Sequence, residues 1–483
     1  MYPNLGKKRK PAIHRGEAGA FISKRSNSAR SRTHHAQQPA PQGKAASLGA
    51  RDGSSSAYDG AAPDRRSAEI KAAAERVRAS EAQYKLGCCQ LNGDGVPQDH
   101  AKAAELFTKA AEQGHADAQY ELGQCFFYGE GVAQDYVKAA KWYTKAAEQG
   151  HAAAQYELGF CIYNGEGVAQ DHATAAEWWG KAAEQGHAQA QYELGICFHY
   201  GRGVMAQDHA KKAELFTKAA EQGHAEAQFE LGYCFYRGEG VAHDHAEAAK
   251  WWGKAAEQGH AGAQCNFGQC FNHGWGVAQD HARAMVWYSK ASEQEHVGAQ
   301  CNIGYCFDHG EGLAQNHATA AEWYTKAAEQ GHAWAQYMLG ICFRLGEGVA
   351  QNDATAAKWW GKAAEQGDAW AQYEFGCCFF NGRGVAQDHA RAVDLCTKAA
   401  EQGNEDAQYD LGSCFHRGEG VAQDYAKAAE WYTKAAEQGG VEAQYELGCC
   451  FRHGRGVEQD HAKAAAWWDK VCDGWSVTFP SYV

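Results

Sequence analysis

The side chains of this chain with the widest chemical reach are 24 histidines and 18 cysteines. Histidine ligates metals and moves protons near neutral pH. Cysteine supplies thiolates for metals, disulfides or nucleophilic attack. Spacing decides among these uses. Most histidines fall at two recurrent places, after a Glu-Gln-Gly turn (His115, His151, His187) and after an aspartate (His100, His172, His281). Neither place supplies the i, i+4 histidine pair or the paired-cysteine spacing of a zinc site. They read as helix-terminus residues, and no metal ligand is assigned. Eleven cysteines also recur at one place: Cys89, Cys125, Cys161, Cys197, Cys234, Cys270, Cys306, Cys342, Cys378, Cys414 and Cys450. Packed helices stand on the order of 10 Å apart, whereas a disulfide needs Cα atoms within about 7 Å. Free buried thiols in a reducing compartment are expected. No G-x-S-x-G or similar nucleophile motif occurs, so no catalytic or cofactor-binding residue is assigned.

These residues recur because the chain repeats. A marker glutamine stands at Gln83, Gln119, Gln155, Gln191, Gln228, Gln264, Gln300, Gln336, Gln372, Gln408 and Gln444. The eleven copies are 36 residues apart, except for one spacing of 37 caused by Met205. A period of that length marks a solenoid. In the copy 116–150, Ala118, Leu122, Cys125 and Phe126 share one helical face and predict a first helix over 116–127. Gly123 removes a side chain where another helix approaches. Gly129-Glu130-Gly131 turns the chain, and no Lys-Ser/Thr follows to make it a phosphate loop. Asp135 is an N-cap. Ala139, Trp142, Tyr143, Ala146 and Ala147 stripe a second helix, which Gly150 ends. Residues 67–80 read as a degenerate second helix of a missing unit, with Ile70 in the place of tryptophan. Glu295 replaces the helix-ending glycine. It predicts an irregular turn and a bend between the units of Gln264 and Gln300.

Charge divides the chain. Residues 1–66 carry 13 Lys+Arg against 4 Asp+Glu, a net of +9; the whole chain is −13, which leaves −22 on residues 67–483. The plan is a disordered basic tail (1–66), a repeat array (67–472) and a C-terminal tail (473–483). Lys7, Lys8, Arg9 and Lys10 form a candidate nuclear-localisation cluster. The acid-free stretch 18–51 supports a rival reading, an organellar transit segment. The expected compartment is cytoplasm or nucleus, with an organelle as the alternative. No run approaches 18 apolar residues, so no membrane span is predicted. Nucleic-acid association through the basic tail is one alternative function; the −22 array opposes it elsewhere. Ser481-Tyr482-Val483 fits a PDZ-type carboxyl ending, while Trp475 and Phe479 offer cover for the last unit.

The pattern A-x-A-Q-Y-x-L-G-x-C-[FY]-x-x-G-x-G-V…D-x-x-K-A-A-x-W-[YW]-x-K-A-A-E-Q-G resembles the Sel-one-like repeat, a relative of the tetratricopeptide repeat, over about residues 67–472. The resemblance implies an all-α, right-handed solenoid of about eleven two-helix repeats. It implies a scaffold or adaptor for proteins and peptides, without cofactor. Cysteine-rich bacterial relatives, some described as β-lactamase-like, carry two disulfide-linked cysteines per repeat. Most units here carry one, at a different place. A hydrolase of that kind is the alternative from another class.

Differences among copies point to a binding face. In tetratricopeptide-like arrays the first helix lines the concave side. The residue before the framework leucine runs Lys85, Glu121, Glu157, Glu193, Glu230, Asn266, Asn302, Met338, Glu374, Asp410, Glu446. An acidic ladder is thus interrupted in three consecutive units. In the third, Trp334, Met338, Ile341 and Leu345 make a helix apolar all round, and Trp370 follows in the next unit. These five, with Asn302 and Tyr305, are the expected partner-binding residues.

Overall fold

The computed structural model describes residues 65–203 and 206–478. The Lys7–Lys10 cluster, Met205, Phe479 and the Ser481–Val483 ending lie outside the described residues, as does the side chain of Trp475. The described residues form 22 helices and no strand; successive helices pair into about eleven two-helix units, an all-α solenoid.

Local chemistry sets each boundary. The helix Ala116–Tyr128 starts at His115, whose Nδ1 accepts from the Ala118 N–H at 3.3 Å, and stops at Gly129 with φ 75°. Gln134 then pins the loop by donating Nε2–H to the Phe127 carbonyl at 2.8 Å. The helix Tyr136–Glu148 starts at Asp135, whose Oδ1 accepts from the Lys138 N–H at 3.0 Å. It buries Ala139, Ala140, Tyr143, Ala146 and Ala147. Trp142, expected in that stripe, is half-buried, with the Lys145 ammonium 3.9 Å above its ring. Gly123 is the close approach: a Cβ there would come within 2.5 Å of Tyr143 Cε1.

The marker glutamine ties consecutive units together. Gln119, 4 % exposed, donates Nε2–H to the Ala111 carbonyl at 3.0 Å and accepts from Gln149 Nε2 at 2.7 Å. One amide thus joins the end of the preceding second helix to the end of its own. Buried polar groups persist only when paired in this way.

Two expectations are corrected. The N-terminal segment does not form a separate second helix; Arg65–Asn92 is one continuous helix. The reason is local: Arg78-Ala79 stand where later units have Gly114-His115, so the breaker and the N-cap are both missing. The turn at Glu295 is also regular. Its N–H donates to the Ser292 carbonyl at 3.0 Å and that of His296 to Ala291 at 3.1 Å, as Gly331 and His332 do one unit later. Glu295 meets this geometry by taking φ 60°, the one positive φ outside glycine among the described residues. The helix before it is loosely seated. His281–Glu293 buries only Ala284, Tyr288 and Ala291, since Met285 and Ser292 replace alanines equivalent to the buried Ala321 and Ala328.

Candidate interaction surface

The N-cap histidines have an assignable role. An Nδ1 that accepts leaves the proton on Nε2, and at three of these histidines that nitrogen faces a carboxylate of the previous unit. His115 Nε2 lies 2.8 Å from Glu81, His151 3.2 Å from Asp117 and His260 3.0 Å from Glu226. Each ring also lies against the aromatic that follows the previous marker glutamine, His115 on Tyr84 at 4.7 Å and His151 on Tyr120 at 4.8 Å.

The acidic ladder is an inter-unit contact. Tyr373 Oη donates to Asp410 Oδ2 at 3.0 Å, so the tyrosine after one marker glutamine meets the acid of the next unit. Every acid of the ladder follows such a tyrosine in sequence: Tyr84 precedes Glu121, Tyr120 precedes Glu157, and Tyr337 precedes Glu374. The three interruptions follow the three units that lack the hydroxyl. Phe229 precedes Asn266, Cys265 precedes Asn302, and Cys301 precedes Met338. Asn302 Nδ2 donates to Cys265 Sγ at 3.4 Å, and Met338 shares a buried cluster with Cys301. A carboxylate without a donor is costly to bury, so the two positions change together.

The expected stripe is therefore divided. Met338 is 5 % exposed and packs between units. Trp334, its ring centroid 5.2 Å from that of Tyr337, and Ile341 are half-buried against the same cluster. Trp370 is half-buried beside them. Leu345 is 56 % exposed. Of the other two, Asn302 is engaged with Cys265, and Tyr305 stacks on His309 at 4.0 Å.

Consecutive copies of a Sel1 repeat model match residues 80–115, 116–151, 152–187, 188–224, 225–260, 261–296, 297–332, 335–368, 371–404, 405–440 and 441–474. The chain belongs to the Sel1 repeat family. Among solved structures it is similar to c5321, a protective antigen of uropathogenic Escherichia coli with an SLR fold. The two share 38% identity over 85% of this chain and 90% of that one, with a TM-score of 0.68. A Sel1 repeat protein from Oxalobacter formigenes is 33% identical over 62% of this chain and 86% of its own, with a TM-score of 0.46. No curated protein matches significantly.

Sel1 folds are typically non-enzymatic interaction scaffolds, and the chemistry of this Sel1 array fits that role. The seventeen cysteines with described side chains are free thiols. Burial pushes Cys197 up to about 12 and Cys234 up to about 11, far from the thiolate that a nucleophile needs. Three of the ladder acids are held high as well. Burial raises Glu230 to about 7 against the opposing pull of Lys212, and raises Asp410 to about 6 against the Tyr373 hydrogen bond. Glu374 is raised by burial although Arg344 Nη1 sits 2.6 Å from its Oε2. The tyrosine–acid coupling lay outside sequence reasoning along single helices. Its signal is present between copies, in substitutions 37 residues apart.

Proposed function

We propose that the array is an adaptor that grips a partner peptide or protein surface at the Trp334–Leu345 helix, with Trp370 as the neighbouring contact. The observation that carries this reading is Leu345, 56 % exposed at the end of a helix whose Trp334 and Ile341 are only half-buried. Exposed apolar area of this kind is gained back on binding. The −22 charge of residues 67–483 favours a partner with basic residues flanking its apolar anchor. Met338 serves as the internal support of the site.

The test uses the full chain as bait, alone and as Leu345→Glu and Trp334→Ala. Leu345→Glu is expected to leave the melting temperature within about 1 °C, as an exposed substitution does, and to lose the proteins recovered by the wild type. Trp334→Ala is expected to weaken binding by about 2 kcal/mol. Identical recovery by wild type and Leu345→Glu sinks the reading. So does a loss of about 3–5 kcal/mol of fold stability in Trp334→Ala, which marks a core tryptophan.

A further inference from the structure

Three side chains from three elements meet at the seam between the units of Gln300 and Gln336. Asp308 lies in the last turn of the helix Val297–His309, His317 opens the helix His317–Glu329, and Glu347 sits in the following unit's Gly346-Glu347-Gly348 turn. One ligand atom of each lies within 4.8 Å of the other two. His317 Nδ1 is 2.8 Å from Asp308 Oδ1, and the Asp308 side chain is 13 % exposed.

The equivalent places of an earlier seam hold His199, His209 and Glu239, which converge within the same 4.8 Å. There the protein supplies its own cation. Lys212 Nζ is 2.6 Å from Glu239 Oε2 and 3.4 Å from His199 Nδ1, with its side chain 4 % exposed. At the Asp308 seam the residue in that position is Ala320. Among the described residues, no lysine or arginine forms an ion pair with Asp308 or Glu347. A second observation points the same way. The Tyr324 hydroxyl is fully buried without a hydrogen-bond partner, and Asp308 is the charge that acts on it most strongly.

We propose that Asp308, His317 and Glu347 bind a divalent transition-metal ion of the zinc class and thereby clamp two neighbouring units. One imidazole and two carboxylates suit zinc, cobalt or manganese and leave a position for water. Donors at about 2.1 Å from an ion stand about 3.4 Å apart, so a small rotamer change of the half-exposed Glu347 completes the set. Binding through one Asp308 oxygen turns the other toward the Tyr324 hydroxyl, which otherwise has no acceptor. Positions 308, 317 and 347 fit no local ligand motif, so the repeat stacking, not the spacing, assembles them.

Cobalt(II) chloride is titrated into the full-length reduced protein, followed by calorimetry and visible absorption. One ion per chain is expected, with a spectrum free of thiolate charge transfer and a raised unfolding midpoint. Glu347→Gln and His317→Gln each weaken binding by at least about tenfold, with far-ultraviolet circular dichroism unchanged. Lys212→Ala removes the built-in cation from the His199 cluster and raises the stoichiometry to two. Absence of submillimolar binding, a thiolate spectrum, or binding that survives Glu347→Gln and His317→Gln overturns the proposal. A stoichiometry that stays at one in Lys212→Ala overturns it too.

Discussion

At the residue scale, polar groups in this array are kept where a partner is kept. The marker glutamine is buried because two amide contacts use it, and the ladder acid Asp410 is met by the Tyr373 hydroxyl of the previous unit. Glu230 shows what the arrangement costs. Its folded pKa, about 7, stands well above the ordinary carboxylate range, chiefly through burial. A group shifted up in this way destabilises the fold as pH rises through that window, and the loss is recovered as pH falls. Glu230→Gln is therefore expected to stabilise the protein by about 2 kcal/mol at pH 8 and hardly at all near pH 5. Equal shifts at the two pH values, read by chemical denaturation, would show that charge is not the cause. The recurrence of Gln and Glu was plain in the sequence. Their reasons were not, because each lies in a neighbouring unit, beyond the reach of any single-helix pattern.

At the element scale, the helices follow directly from periodicity and caps. The exceptions trace to single residues. Arg78-Ala79 in place of Gly-His fuses two expected elements into Arg65–Asn92. Trp142 stays half-buried at the rim of the stripe under the Lys145 ammonium, while Tyr143 takes the space that Gly123 leaves. Glu295 is the reverse case, where context overrides the residue. The hydrogen bonds on either side hold the turn, and Glu295 is carried into φ 60°. Since a side chain there costs about 1–2 kcal/mol, Glu295→Gly is expected to raise the stability of the array by about 1 kcal/mol. A thermal melt that falls or stays unchanged would mean that the Glu295 side chain contributes a compensating contact.

At the scale of the whole molecule, stability in a solenoid is close to a sum of unit and interface terms, so removing one unit exchanges two old interfaces for one new one. The quality of the new interface is written in the tyrosine–acid pairing. Deleting residues 188–224 brings Tyr156 against Glu230, a pairing of the usual kind. Deleting residues 333–368 brings Cys301 against Glu374 and also removes Arg344, which pairs with Glu374 in the intact chain. Both shortened chains are expected to show helical circular dichroism, since every remaining unit keeps its own glycine–ring contact and caps. The second is expected to be less stable than the first by about 1–3 kcal/mol, the cost of a buried polar group without a partner. Glu374→Gln in the second deletion separates this cause from other losses at the join, because it removes the charge without changing the shape. If that substitution recovers most of the deficit in a urea titration, the pairing governs which units tolerate each other as neighbours. If the two deletions unfold at the same urea concentration, the tyrosine–acid pairs are ornaments of the stacking and the coupling between copies has another origin.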